Sequence, residues 1–418
     1  MLIHASKRHY TKRRLQMNPC NQSLFRMTVA MAASGLGITL MKIALPTLSG
    51  TLGCSPAKVG LVAGAIAAAW PLFGLTAGWV LDRFGRIAGF WSGLFAAGFA
   101  AAALLSLAGQ DASPVLLLCG LGLLVGIGEV LTETAGQTIL PDLVDRDRFH
   151  DGNSLLQGVK TVFATLLAPL LIALLLGISP FSVFLVAFVA VAVSFLALPK
   201  PQRMTRSGQK GFAGFLEGAH LLWASPDQRG LTLLLALMSV SWGAWMTLIV
   251  PYALSENFLN IGTAGIGYVM TAMGCGSLLG ATCYRWLRSR LGDGRTRLLD
   301  PVATLIFVLV PAAGFGLWPV LATSFLAGIG GVTWAISIAT HQQSTIPASS
   351  LGRVVAAYRW IGWSGFFIGA SLSGFVANLV GLQLAFLVFA APAMAALLIF
   401  VFSKQGFRQV AEANELRF

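Results

Sequence analysis

Long stretches without a charged residue constrain the fold of this chain more than any other feature. Val59–Leu81, Ile87–Gln110 and Pro301–Gly352 are three of them. A helix of about 20 apolar residues is long enough to cross the hydrocarbon core of a bilayer. Of the 418 residues, 56% are hydrophobic and 10% are charged, whereas about 25% are charged in an average soluble domain. The sequence therefore predicts an all-α membrane protein.

Twelve membrane spans fit these runs. The two runs Thr161–Pro199 and Pro301–Gly352 are each long enough for two spans, with turns at Gly177 and Gly316. The first apolar stretch is too long for the core of a cleaved signal peptide, so we interpret it as span 1. Spans 1 to 12 are predicted at 24–48, 58–80, 87–108, 114–138, 153–176, 180–198, 229–254, 263–284, 299–317, 319–343, 353–378 and 382–403.

Basic residues cluster between alternate spans. If the N-terminus is cytoplasmic, nearly all Lys and Arg residues fall on the cytoplasmic side, with Lys42 and Lys58 as the exceptions. Cytoplasmic loops carry an excess of Lys and Arg, so both termini are predicted to be cytoplasmic in a bacterial inner membrane. The net charge of +13 then reflects topology and attraction to anionic membrane lipids, and not nucleic acid binding.

A repeated motif divides the chain into two halves. Gly78–Arg86 follows span 2 and Gly280–Arg288 follows span 8, with Gly, Arg and Arg at the same offsets. Parallel repeats of this kind predict two pseudo-symmetric six-helix bundles in a monomer. The predicted organisation is a cytoplasmic tail (1–23), a bundle (24–198), a cytoplasmic linker (199–228), a second bundle (229–403) and a cytoplasmic tail (404–418).

The first copy of the motif matches the loop signature G-x-x-x-D-R-x-G-R of the major facilitator superfamily. The chain resembles that family over residues 24–403, and Leu140–Val144 and Leu222–Pro226 are similar to the branch of enterobactin-type siderophore exporters and macrolide or drug efflux pumps. The resemblance implies two bundles that rock about a cavity lined mainly by spans 1, 4, 7 and 10. The second copy departs from the signature, since Tyr284 replaces the acid and Leu287 the second glycine.

The resemblance also implies a conformational latch. Asp82 is expected to face the N-terminus of span 11, near Gly352, and to hold the bundles together in the outward-facing state. A carboxylate at a helix N-terminus is stabilised by about 0.3–1 kcal/mol. The alternative is an interfacial charge that only sets topology. The candidate latch residues are Gly78, Asp82, Arg83, Gly85 and Arg86.

Span 4 carries two carboxylates within the membrane. Glu129 and Glu133 share one helical face with Gly122, Gly126 and Gln137. A charge at the bilayer centre costs about 2.5–3.5 kcal/mol on insertion scales, so such groups face a cavity or a partner. Two carboxylates one turn apart resist double ionisation, which makes Glu129 and Glu133 proton-coupling candidates. The alternative is a neutral acid that hydrogen-bonds between helices.

Other polar and aromatic residues within the spans are candidates to line the cavity. The backbone of Lys42 lies about 10–15 Å from the level of Glu129, so we do not expect a direct ion pair. Lys42 either meets an anionic substrate or extends outward to the interface. Asp300 is expected to cap the start of span 9. The cavity candidates are Lys42, Gln137, Trp242, Trp245, Trp334 and His341, and packing between helices is the alternative for the tryptophans.

The sequence favours transport over catalysis. It contains no phosphate-binding loop, no nucleophile–base pair and no cysteine spacing typical of a metal site, so we expect neither an enzyme nor a cofactor. An ion gradient would then supply the energy. The predicted function is secondary active export of a siderophore or drug-like amphipathic molecule by proton antiport. A nutrient or metabolite importer on the same fold, or a transport-inactive membrane receptor or assembly partner, is the alternative.

Overall fold

The computed structural model of this protein describes residues 19–51, 56–107, 114–176, 178–198, 213–256, 258–259 and 262–402. The predicted tails up to residue 18 and from residue 403, Cys54, and the linker residues 199–212 lie outside these ranges. Thirteen α-helices form the described part of the chain.

The N-terminal half contains seven of these helices. They are α1 (Pro19–Thr51), α2 (Pro56–Phe84), α3 (Arg86–Leu107), α4 (Val115–Thr138), α5 (Phe149–Lys160), α6 (Ala168–Leu176) and α7 (Pro180–Ala197). A π-helical segment, Thr161–Leu167, joins α5 to α6, next to Pro169, which lacks the N–H that a regular helix needs. Pro180 opens α7, and the Ser179 hydroxyl caps it by accepting a hydrogen bond from the Ser182 N–H at 3.2 Å.

The C-terminal half contains the remaining six helices. They are α8 (Ala213–Ala224), α9 (Pro226–Leu254), α10 (Gly262–Ala312), α11 (Leu317–Thr345), α12 (Leu351–Val380) and α13 (Leu382–Phe402). The helix α10 contains both predicted spans 8 and 9 and is broken at Gly292, where φ is 79° and ψ is 168°. Glycine adopts this positive φ without the steric penalty of a side chain. The helix α8 lies inside the predicted linker, where the sequence analysis placed no helix.

The membrane-spanning helices confirm the predicted fold class. Within the described residues, nine helices are long and apolar enough to cross a membrane. The other predicted spans correspond to α7, whose apolar part Phe181–Ala197 is shorter, and to the two halves of α10. No strand occurs in the described ranges.

Each half has its own packed interior. One hydrophobic cluster draws its buried side chains from residues 24–198, with Met27, Phe90 and Phe184 among them. A second draws them from residues 244–393, including Trp245 and Phe307. In lipid, close contact between helices replaces the hydrophobic effect as the main source of stability.

The two halves meet along several pairs of helices, and two of these pairs form the seams called α2–α12 and α5–α10 here. In the α2–α12 seam, the Trp360 indole donates to the Pro71 carbonyl at 3.0 Å, and the Trp70 and Trp363 rings stack at 5.8 Å. In the α5–α10 seam, the rings of His150 and Tyr284 stack at 5.7 Å. We call the end of the molecule that carries Arg83, Arg86 and Arg353 the basic end.

Candidate functional site

Asp82 joins the two halves at the basic end. Its Oδ2 accepts hydrogen bonds from the Arg353 backbone N–H at 3.2 Å and from the Arg353 Nε at 2.7 Å. Arg353 is in the first turn of α12, where backbone N–H groups lack helical partners. The same guanidinium contacts Glu217 of α8 at 2.5 Å. The Asp82 carboxylate therefore contacts both the backbone at the start of α12 and the positively charged guanidinium of Arg353.

Glycines allow this close approach. A Cβ added at Gly78 would lie 2.6 Å from the Ala356 Cβ and 2.8 Å from the Gly352 carbonyl oxygen. A Cβ at Gly352 would lie 2.5 Å from Asp82 Oδ1. Gly85 follows α2 with a φ of 93°, a value that favours glycine. Arg83 is exposed and lies over the Trp79 ring at 5.5 Å.

Arg86 makes a second link between the halves. Its side chain is 3% exposed and pairs with Asp142 at 2.6 Å, and its Nη2 donates to the Ala348 carbonyl of the other half at 2.9 Å. Burial raises the pKa of the Asp142 carboxyl above its usual range, and the Arg86 guanidinium opposes that shift. Asp142 lies in the turn after α4.

A layer of buried amides makes a third link between the halves. The Asn153 amide donates to Gln343 Oε1 at 2.8 Å and to Thr340 Oγ1 at 3.0 Å. Gln343 in turn donates to the Gln137 carbonyl at 2.5 Å. Asn153 and Gln137 belong to the N-terminal half and the other two to α11, so this layer also closes the basic end. Gln137 thus takes part through its backbone.

Glu133 is the carboxylate that faces the other half. It pairs with Lys160 at 2.7 Å and with Arg359 of α12 at 3.4 Å. The Arg359 guanidinium lies 4.5 Å from the centroid of the Trp70 ring, and its side chain is 5% exposed. Two cations therefore compensate one carboxylate in a site with little access to water.

Glu129 forms an ion pair that the sequence analysis did not expect. The Lys42 Nζ lies 2.6 Å from Glu129 Oε1, with side-chain exposures of 35% and 20%. The prediction from backbone levels was wrong because side chains tilt toward the N-terminus of their own helix. The helices α1 and α4 are antiparallel, so the two side chains extend toward each other. Neither the predicted outward extension of Lys42 nor an isolated pair of carboxylates is present in this conformation.

Sequence reasoning missed Lys160 and Arg359 because it assigned them to cytoplasmic segments. The predicted bounds already contained the signal, since Lys160 falls within span 5 and Arg359 within span 11. In the structure, Arg359 lies about 12 Å along α12 from its first residue. A charged residue at that depth requires a partner, and Arg359 has the Glu133 carboxylate as well as the face of the Trp70 ring.

The predicted cavity tryptophans lie at different depths in the bundle. Trp245 is 0% exposed and stacks on Phe307 at 3.8 Å. Trp334 is 3% exposed and donates to the Tyr358 hydroxyl at 3.0 Å. These two positions favour the packing alternative. Trp242 is half-buried, and its indole donates to Thr304 Oγ1 at 3.0 Å. His341 is half-buried on α11.

Asp300 does not cap a helix, contrary to the prediction. The second part of α10 begins at the kink at Gly292, so Asp300 lies two turns inside it. The residue is 4% exposed, and its Oδ1 accepts a hydrogen bond from Thr304 Oγ1 at 3.3 Å. The sequence analysis placed the helix start too late because it followed hydropathy and did not consider the glycine break.

Comparison with known proteins identifies relatives over most of the chain. The family model for the Major Facilitator Superfamily matches residues 27–299. The multidrug efflux pump Tap of Mycolicibacterium fortuitum is 27% identical over 380 residues, which cover 86% of this chain and 90% of Tap.

Solved structures of the same fold cover a similar share. A bacterial homologue of the iron transporter ferroportin in an outward-facing state aligns with a TM-score of 0.75 and 18% identity, covering 92% of this chain and 99% of that one. The transporter FucP in the outward conformation aligns with a TM-score of 0.71 and 16% identity, covering 91% and 98%. At these identities the likeness concerns the fold alone.

Proposed function

Because this chain belongs to the Major Facilitator Superfamily, we propose that it is a secondary active transporter that exports a drug-like amphipathic molecule or a siderophore in exchange for protons. The observation that carries the proposal is the Lys42–Glu129 ion pair at 2.6 Å. It lies one helical turn from Glu133, on the face of α4 that turns toward the other half. The likeness to the efflux pump Tap supports the substrate class and the direction.

The basic end is proposed to face the cytoplasm. Positively charged loops remain on that side of the membrane, which places both termini and the linker 199–228 in the cytoplasm of a bacterium. The halves then correspond to bundles 24–198 and 229–403, working as a monomer. In that orientation the contacts of Asp82, Arg86 and Gln343 close the cytoplasmic side, and the structure represents the outward-facing state.

The exchange follows from the charge of the pair. With Glu129 ionised, Lys42 and Glu129 offer a substrate one cationic and one anionic group at a partly exposed position. A proton that adds to the Glu129 carboxylate removes the anionic group and leaves Lys42 uncompensated. Substrate and proton therefore occupy the site in turn, which is the requirement for antiport.

Glu133 connects the proposed proton site at Glu129 to the contacts that close the basic end. It is one turn nearer the basic end and contacts Arg359 of the other half. Opening the cytoplasmic side separates these two charges, so the charge state beside them affects the energy of opening. One elementary charge that falls through 100 mV yields about 2.3 kcal/mol, and a few protons therefore sustain a useful outward gradient.

The test uses purified protein in proteoliposomes under an imposed proton gradient, with ethidium and a catecholate siderophore as probes. Glutamine keeps the shape of glutamate but cannot exchange a proton. Glu129→Gln should abolish concentrative transport and retain substrate exchange without a gradient, whereas the exposed Glu256→Gln should behave as wild type.

The remaining outcomes separate the alternatives. If Glu133→Gln shows the uncoupled pattern and Glu129→Gln does not, the proton carrier is Glu133. If the single variants and the double variant all pump normally, the carboxylates are structural, and His341 is the next residue to test. Movement of a probe in the same direction as the protons would indicate an importer.

A further inference from the structure

A polar stripe runs along α10 away from the basic end and is buried from Arg297 onward. Asp293, Arg297, Asp300 and Thr304 are spaced by four, three and four residues, which places them on one helical face. Asp293 pairs with Arg288 at 2.6 Å. Deeper along the stripe, the Arg297 Nε donates to Ser337 Oγ of α11 at 2.8 Å. The stripe therefore faces α11.

Asp300 is the member of the stripe without a compensating charge. It is 4% exposed, and within the described residues it forms no ion pair. Among the described residues, the one hydrogen bond to its side chain comes from Thr304 at 3.3 Å, and the Thr304 oxygen accepts the Trp242 indole N–H at 3.0 Å. In the part of the chain that the structure describes, the carboxyl therefore contacts a neutral donor, Thr304, and forms no ion pair with a cation.

The groups around Asp300 come from three other helices and from α10 itself. From α11, backbone packs against it, since a Cβ added at Gly330 would lie 3.2 Å from Asp300 Oδ1. From α12, Tyr358 interacts with it electrostatically, and from α9 comes the Trp242 indole. The one cation on the same face, Arg297, extends toward the basic end, because helical side chains tilt toward the helix N-terminus.

We propose that Asp300 is a proton-binding site of the C-terminal half, protonated in this conformation and ionised when α11 moves away from it. An isolated ionised carboxylate in an apolar interior is destabilised by several kcal/mol, so the group takes up a proton instead. Gly330 and Gly331 of α11 lie against the carboxyl, so movement of α11 would admit water or a cation to it.

This site connects proton binding to closure. The helix α11 that packs against Asp300 also carries Thr340 and Gln343, which bond to Asn153 of the other half. Ionisation of Asp300 therefore disfavours the packing of the helix that closes the basic end. The coupling role rests on the proposed proton antiport, whereas proton binding by Asp300 is measured without transport.

Infrared difference spectra of the purified full-length protein between acidic and alkaline pH test the assignment. The wild type should lose the carbonyl band of a protonated, hydrogen-bonded carboxylic acid on alkalinisation. Asp300→Asn should lack that band, and Asp300→Glu should retain it. Thr304→Val should move the band to higher frequency, because it removes the hydroxyl donor. Glu256→Gln, at an exposed carboxylate outside the stripe and the closure, is the control and should leave the band unchanged.

Two results would overturn the proposal. One is a wild-type difference spectrum without a titrating carboxylic acid band, or one that Asp300→Asn does not change. The other result comes from Thr304→Val, which decides the matter if Asp300→Asn does not fold. A carboxylic acid band that stays at its wild-type frequency in Thr304→Val does not belong to Asp300. If Glu129→Gln loses proton-driven transport and keeps the Asp300 band, the result supports both the exporter proposal and proton binding by Asp300. Absence of any proton-driven transport in the wild type would remove the exporter proposal alone.

Discussion

Replacing Asp82 with asparagine isolates the charge of the latch from its shape. The carboxylate accepts two hydrogen bonds from Arg353, and a hydrogen bond to a charged group contributes about 1.5–3 kcal/mol. Asparagine keeps one acceptor oxygen, so part of this energy remains. The side chains of Asp82 and Arg353 are 10% and 12% exposed, and screening by water is therefore small. We expect the closed basic end to lose about 1–3 kcal/mol, which shifts the equilibrium between closed and open states by about 5–150-fold.

Distance measurements between spin labels report this shift directly. Asp147 in the N-terminal half and Arg290 in the C-terminal half are both exposed near the basic end, and cysteines at these positions in a background without the five native cysteines provide the label sites. Asp82→Asn should increase the population with the longer distance, while thermal stability stays near that of the labelled parent.

The matched control is Asp293→Asn. Asp293 lies at the same end and pairs with Arg288 at 2.6 Å, but both residues belong to the C-terminal half. Its substitution should leave the distance distribution unchanged. An unchanged distribution in Asp82→Asn, or an equal change in both variants, would refute the reasoning that the charge of Asp82 holds the halves together.

Two further predictions concern stability and topology. Glu133→Gln leaves Lys160 and Arg359 without their shared carboxylate and should lower the free energy of unfolding by about 3 kcal/mol. Thermal unfolding of the double variant Glu133→Gln/Lys160→Met should show recovery of part of this loss, because one uncompensated cation is removed. No recovery would contradict the pairing. Cys54, as the single cysteine of a variant, should react with an impermeant thiol reagent added outside cells, while a single cysteine replacing Arg206 should react only after permeabilisation; the reverse pattern would overturn the assigned topology.

The fold could be predicted from the sequence because the membrane imposes a simple rule on each segment. Every backbone polar group in lipid must be satisfied within a helix, so hydropathy alone located the twelve spans. The kink at Gly292 and the helix α8 were missed, since both lie where hydropathy does not separate span from loop. The contact of Asp82 with the start of α12 followed from the signature motif and was not derivable from hydropathy.

The candidate site depended on contacts between distant parts of the chain. Glu129 and Glu133 stood out because an acid within a span is costly. Their partners did not, since Lys42 is 87 residues from Glu129 and Arg359 is 226 residues from Glu133. The direction in which each side chain tilts along its helix decides these pairs, and a list of spans does not contain that information.

The two seams between the halves differ in chemistry, and this difference gives the motion a direction. At the α2–α12 seam the Asp82–Arg353 ion pair is nearly buried, whereas at the α5–α10 seam Tyr284 and His150 stack and the one described ion pair, Arg285–Asp151 at 3.6 Å, is exposed. Protonation of Asp82 weakens the first seam, whereas loss of the exposed pair in the second seam has little effect, because an exposed ion pair contributes little stability. The halves are therefore expected to swing about a hinge at α5–α10, so that the first gap opens between α2 and α12. Under the proposed function, an amphipathic substrate dissolved in the adjacent leaflet would enter through that lateral gap, without first passing through the cytoplasm.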